Sequence, residues 1–199
     1  MSIELKQTLG ANMLEIRWHS RAGQGAVTGA KGLGSVVAET GKEVQAFAFY
    51  GSAKRGASMT AYNRIDDKII INHEKFMHPD YVFILDPALV FTDDFTANET
   101  EKTQYIITTH LSKEELMEVV PVLKGREDRT FTLDCLEIAQ ETIGRPIPNT
   151  PMLGAFMKIS GMFELEYFQN AMKSVLKKLP PKVIDANMIA IQRAYNEVH

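Results

Sequence analysis

The sequence predicts an α/β fold: a mostly parallel sheet with flanking helices, Rossmann-like, that ends in a group of C-terminal helices. Three observations predict it. Short apolar or alternating runs recur with helix-like stretches between them, the pattern of strands joined by crossover helices. A glycine turn, Gly23-Gln24-Gly25, separates the first such run from the first helical stretch. Beyond Pro146 only helical periodicity remains. The 199 residues thus read as one domain, with an N-terminal extension (1–12) and a helical C-terminal part (146–199).

Each element follows from its local pattern. Residues 13–19 alternate apolar and polar, as a strand covered on one face does. A helix is predicted from Ala26 to about Thr40, closed by Gly41. Val44 to Tyr50 is an aromatic-rich strand, and Met59 to Ile65 is a third strand after a small-residue loop, Gly51 to Ala57. Tyr81 to Leu85 is continuously apolar, which suits a central strand buried on both faces. Tyr105 to Thr108 and Thr130 to Leu133 are two more strands, each followed by a helical stretch (112–119 and 135–142). Pro146, Pro148 and Pro151 form a stiff connector, and Asn149-Thr150-Pro151 reads as a cap followed by proline at the first helical position. Leu165, Phe168, Met172, Val175 and Leu179 then mark one helical stripe over 164–179. Pro180-Pro181 breaks it, and Ile184, Met188, Ile191, Tyr195 and Val198 mark a last helix.

Composition excludes several classes of function. With 25 acidic and 22 basic residues the net charge is −3, unlike a protein that binds nucleic acid or anionic membranes in bulk. The single cysteine excludes a disulfide framework, and it excludes an iron–sulfur cluster or cysteine-rich zinc site held by this chain alone. Neither a signal-peptide pattern nor an apolar run of roughly 20 residues is present, so the expected location is the cytoplasm.

In open α/β sheets ligands bind beyond the C-terminal ends of the strands. That rule selects Ser20 to Gly25, Tyr50 to Gly56, Asp86-Pro87, Thr108 to His110 and Asp134-Cys135. In Arg21-Ala22-Gly23-Gln24-Gly25-Ala26 the glycines let backbone N–H groups turn towards an anion at the helix N-terminus. The spacing Gly23-x-Gly25-x-x-x-Gly29 departs from the dinucleotide fingerprint, and the acidic residue expected after the second strand is missing. Lys54 and Arg55 stand there instead, and they suit a phosphorylated ribose as in NADP or coenzyme A. A tight strand–helix turn without ligand needs the same glycines, and spacing does not separate the two readings. Gly29, Gly32 and Gly34 each cost the first helix about 1 kcal/mol relative to alanine, which predicts a close approach to the sheet or to another chain. His19, His73, His78, His110 and His199 lack metal-ligand spacing. His110, at a strand end, is an active-site candidate read first as a surface histidine; Cys135 is read as a small buried residue before a nucleophile, and Asp86 and Asp134 as capping or turn residues before catalytic carboxylates.

Three ordered segments carry a resemblance. His19-Ser20-Arg21-Ala22-Gly23-Gln24-Gly25 resembles the opening signature of the gamma subunit of 2-oxoacid:ferredoxin oxidoreductases. Gln45 to Gly51 with Lys54-Arg55-Gly56-Ala57 is similar to that family's second signature, and Asn149-Thr150-Pro151-Met152-Leu153-Gly154-Ala155 to its third. The likeness runs from about Leu14 to Tyr195, and is strongest to enzymes that use pyruvate and ferredoxin or flavodoxin. It implies a reaction in which pyruvate and coenzyme A give acetyl-CoA, CO2 and two low-potential electrons. It implies thiamine diphosphate, Mg2+ and [4Fe–4S] clusters in partner subunits of alpha, beta and delta type, with ferredoxin or flavodoxin as acceptor. It further implies that Arg21, Gly23, Gln24, Gly25, Lys54, Arg55, Gly56 and Asn149 help to bind coenzyme A or to form the subunit interface, with no catalytic group on this chain. Other oxoacids (2-oxoisovalerate, 2-oxoglutarate, indolepyruvate), a stand-alone NADP- or flavin-binding reductase, and a purely structural assembly subunit are the competing readings.

Overall fold

The computed structural model of the chain describes residues 13–50, 57–71 and 78–199. Lys54, Arg55, Gly56, His73 and the N-terminal extension lie outside the described residues. Six strands form one sheet: β1 (Leu14–Arg21), β2 (Glu43–Tyr50), β3 (Ser58–Asp66), β4 (Tyr81–Ile84), β5 (Gln104–Thr108) and β6 (Thr130–Leu133). Their order is β2-β3-β1-β4-β5-β6. β3 runs antiparallel to both neighbours, while the pairs β1–β4, β4–β5 and β5–β6 are parallel. The sheet is mixed but mostly parallel, as the sequence predicts.

Alternation along β1 determines what each face meets. Ile16 and Trp18 are buried in the larger hydrophobic cluster, with α1 (Ala26–Ala38), α3 (Cys135–Ile143), α4 (Asn149–Ser160), α5 (Leu165–Val175) and α6 (Pro181–Glu197). Glu15, Arg17 and His19 point to the other face and are also buried. There Arg64 Nε donates to Glu15 at 3.0 Å and Arg17 donates to the carbonyl of Phe95 at 2.7 Å. A second cluster covers that face of β4 and β5, where Val82, Ile84, Tyr105 and Ile107 pack against Phe95 and against Leu116 and Met117 of α2 (Lys113–Val119). β4 and β5 thus carry apolar residues on both faces, which is why Tyr81 to Leu85 reads as a continuous apolar run.

Gly29 and Gly34 of α1 meet the sheet as predicted, while Gly32 faces Met172 of α5. A Cβ at Gly29 would lie 3.0 Å from the Trp18 ring, and one at Gly34 would lie 3.1 Å from Val44. Gly154 is tighter still, because a Cβ there would lie 2.3 Å from the Ile191 carbonyl oxygen of α6. The chain end is tied to the sheet edge, where Thr132 and His199 exchange backbone hydrogen bonds of 2.8 and 3.3 Å.

Two expectations need correction. The helix of the third signature starts at Asn149 itself, with Pro148 at its cap position (φ −79°, ψ −2°) and Pro151 as its third residue. Pro148 is already in helical backbone, so the helix begins earlier than a cap at Asn149 requires, and the Asn149 side chain accepts from the next amide, Thr150, at 2.9 Å. The stripe over 164–179 also overreaches, since α5 ends at Val175. Pro180 disfavours helical backbone at the residue before it. The chain therefore leaves the helix early, and Leu179 is 41% exposed.

Candidate functional site

At the C-terminal ends of the parallel strands, the first signature folds into a turn held by its own side chains. Gln24 N–H donates to the Arg21 carbonyl at 3.2 Å, and the Gln24 side-chain oxygen accepts from the Arg21 amide at 2.8 Å. Both residues then reach Asp86, the second residue after β4: Gln24 Nε2 donates to it at 2.8 Å and Arg21 Nε at 3.1 Å. Asp86 also accepts from Ala88 N–H at 2.9 Å, so the predicted capping role is present and a second role is added to it. The carboxylate ties the β1 turn to the β4 turn where the sheet's connections diverge, the usual ligand position in such folds. One amide N–H of Gln24 is thereby engaged within the chain.

The glycines serve backbone shape. Gly23 and Gly25 have φ of +96° and +81°, the left-handed region that costs other residues about 1–2 kcal/mol. At Gly25 a Cβ would also lie 2.7 Å from the Asn149 side-chain nitrogen. The first and third signatures, more than a hundred residues apart in sequence, therefore touch.

Where they touch, a cleft of about 610 Å³ opens. Gly23, Gly25 and Thr28 form one wall, Ile143, Arg145, Ile147, Asn149 and Thr150 another, and Leu176, Leu179, Pro180, Val183 and Asn187 the third. Its volume is in the range of small-molecule sites. The N-terminal ends of α1, α4 and α6 border it, none with a side-chain cap and none with an acidic residue in its first turn. By contrast α2 and α3, which begin elsewhere, are capped by Ser112 and Asp134 and carry glutamates in their first turns. Unsatisfied N–H groups and helix dipoles make such ends favourable for anions. Asn187, buried on α6, bonds Thr150 through its oxygen and Val183 through its nitrogen, which holds α4 and α6 together beside the cleft.

The structure thus brings Gly23, Gly25 and Asn149 together at one cleft and turns the side chains of Arg21 and Gln24 to Asp86. Tyr50 and Ser58, which bound the strands on either side of the second signature's loop, stand at the same end of the sheet as Arg21, with Arg21 opposite Ser58. Sequence reasoning missed Arg145 and the turn between α5 and α6. Arg145 lies four residues before Asn149 in a Gly144-Arg145-Pro146 linker, and that proximity to a signature was the available signal.

The remaining candidates take structural roles. Cys135 is fully buried, and burial pushes its thiol up to about 12, far from a thiolate at neutral pH. Asp134 caps α3 through the amides of Leu136 and Glu137. His110 is exposed beside a small pocket of about 180 Å³ that includes Phe91 and Leu111. His19, read as part of a signature and as no member of a metal set, is buried with Nδ1 2.9 Å from Asp93. Burial holds its pKa below the ordinary histidine value, so the ring is neutral and donates Nδ1–H to the carboxylate. Among the described residues no three His, Cys, Asp or Glu side chains converge as metal ligands do, and no helix is long and apolar enough to cross a membrane.

Comparison with known proteins gives this geometry a family. The chain is 42% identical over 185 residues to the pyruvate/ketoisovalerate oxidoreductases common subunit gamma of Thermococcus kodakarensis, covering 93% of this chain and 97% of that one. It is 38% identical over 185 residues to the pyruvate synthase subunit PorC of Thermotoga maritima, with 92% and 94% covered. The crystal structure of the Thermotoga maritima pyruvate oxidoreductase subunit superposes with a TM-score of 0.77, covering 94% of this chain and 97% of that one. The gamma subunit of a keto/oxoacid ferredoxin oxidoreductase from Geobacter sulfurreducens, at 19% identity, shares the fold with a TM-score of 0.70 over 94% of this chain and 96% of that one. Residues 15–197 match the pyruvate ferredoxin/flavodoxin oxidoreductase family, and the chain belongs to it.

Proposed function

We infer that this chain is the gamma subunit of a multi-subunit pyruvate:ferredoxin (or flavodoxin) oxidoreductase, which forms acetyl-CoA and CO2 from pyruvate and coenzyme A and passes two electrons to a low-potential acceptor. The observation that carries the reading is the end-to-end likeness to named gamma and PorC subunits. Partner subunits of alpha, beta and delta type hold thiamine diphosphate, Mg2+ and the [4Fe–4S] clusters, and the complex works in the cytoplasm. The residues of this chain do not suit a cluster, which needs about four thiolates, because the one cysteine is buried with its thiol protonated.

What this chain contributes is a place for coenzyme A. The glycine turn and Asn149 border a cleft whose helix ends favour phosphate, and Arg21, Lys54 and Arg55 are the basic residues of the signatures that would supply cationic charge to the coenzyme's phosphates. The choice of oxoacid belongs to the partners, in keeping with a relative whose name makes it common to pyruvate and ketoisovalerate oxidoreductases.

Anaerobic purification of the tagged chain from its native cell tests the reading. Larger subunits containing iron and thiamine diphosphate should co-purify, with coenzyme A-dependent, pyruvate-driven viologen reduction in the same fraction. A lone inactive chain, from cells that contain the other subunits, refutes it. An Arg55→Ala complex with unchanged KM for coenzyme A would move that residue to the subunit interface.

A further inference from the structure

Seven arginines lie among the described residues, and six of them are engaged. Arg17 donates to Phe95, Arg21 to Asp86, Arg64 to Glu15, Arg126 and Arg129 bond Glu99, and Arg193 pairs with Glu141 and Glu197. The Arg145 side chain has neither a hydrogen-bond partner nor a carboxylate among the described residues, although the residue lines the cleft between α1, α4 and α6. Among the described residues no aspartate or glutamate lines that cleft, and Arg145 is the one formally charged residue on its walls.

The backbone around Arg145 is stiff. Gly144 closes α3 in left-handed backbone (φ +79°), Ile147 N–H donates back to the Arg145 carbonyl at 2.8 Å, and Pro146 and Pro148 restrict the residues on either side. The guanidinium is therefore carried on a restrained segment, and little backbone freedom is lost when it binds. Around it the cleft carries apolar side chains: Ile143, Ile147, Leu176, Leu179 and Val183. A lone guanidinium at the side of an apolar cleft suits a ligand with an apolar or ring-bearing body and a phosphate, which arginine holds through two parallel N–H bonds.

We propose that Arg145 is the phosphate-selecting residue of this cleft, gripping the ribose phosphate of coenzyme A while the turn between α5 and α6 covers the attached ring system. The inference rests on the coenzyme A reading and names, within it, a residue outside the family-like signatures.

The test compares wild-type, Arg145→Ala, Arg145→Lys and Arg55→Ala complexes in viologen reduction, with coenzyme A and with its analogue lacking the ribose phosphate. Arg145→Ala should raise KM for coenzyme A about tenfold or more and lower the preference for coenzyme A over the dephospho analogue by the same factor. Arg145→Lys, which keeps the charge and loses the fork, should fall between. Equal KM increases for both compounds would overturn phosphate selection by Arg145. So would an unchanged KM in Arg145→Ala; a raised KM in Arg55→Ala alone would then leave the coenzyme on this chain at another point. No change in either variant would also remove the coenzyme A reading.

Discussion

Asn149 and Gly25 show how a contact between distant signatures is written in single residues. Gly25 is required twice, once by its positive φ and once by the Asn149 side chain that occupies the space of a Cβ. Gly25→Ala should therefore cost about 3 kcal/mol, from about 1–2 for left-handed backbone and a similar amount for overlap. In Gly25→Ala/Asn149→Ala the overlap with Asn149 vanishes, because the atoms it meets there lie beyond the Asn149 Cβ, and a contact of 3.1 Å with Ile147 remains. A double-mutant cycle in urea should thus show positive coupling of about 1–2 kcal/mol, and additive costs would mean that the two side chains do not compete for space. The sequence shows the glycines and the asparagine but not that they meet, since nothing in local spacing brings residue 25 to residue 149. Arg145 was invisible for a related reason. Its meaning comes from the lack of a carboxylate around it, which depends on every neighbour in three dimensions.

At the scale of elements, the six strands and the order of helices were legible because apolar periodicity and turn residues are local properties. The exceptions lie near prolines: α4 starts at Asn149 because Pro148 is already helical, and α5 stops at Val175, five residues ahead of Pro180. Helix packing was legible only in part. Glycines inside α1 announced a close approach, whereas Gly154 passed as part of a signature, though it is where α4 presses on the α6 backbone. These sites predict opposite outcomes for one substitution. Gly154→Ala would set a methyl against the Ile191 carbonyl, which cannot yield without moving α6, and should cost about 3 kcal/mol or more. Gly32→Ala places its methyl 3.6 Å from the flexible end of Met172, an ordinary contact, and should gain up to about 1 kcal/mol of helix propensity. Denaturant midpoints of both variants check the contrast, and a stable Gly154→Ala would mean that α4 and α6 are less tightly joined.

Across the whole molecule, β1 is the strand that joins the antiparallel half of the sheet to the parallel half, and its polar face has a consequence for stability. Glu15, Arg17 and His19 are buried in a row along it. Burial, and then the Arg17 guanidinium, disfavour a charged His19, while its bond to Asp93 acts the other way; the net direction is downward. In the unfolded chain the same ring titrates near its ordinary value, about 6.5. The native state thus binds fewer protons than the unfolded state below that pH, so stability is intact above about 6.5 and falls as the pH drops towards the folded value. The slope from one such group reaches at most about 1.4 kcal/mol per pH unit. Glu15 and Asp80 have raised values, also from burial, and contribute with the opposite sign, nearer the carboxylate range. The expected result is a thermal midpoint that is level from pH 8 to 7 and declines below 6.5. His19→Gln, whose amide can still donate to Asp93 but cannot take up a proton, should decline less steeply over that interval even if its midpoint at pH 7.5 is lower. Equal slopes for the two proteins would show that the acid sensitivity arises elsewhere, and that the buried row along β1 tolerates a charged His19.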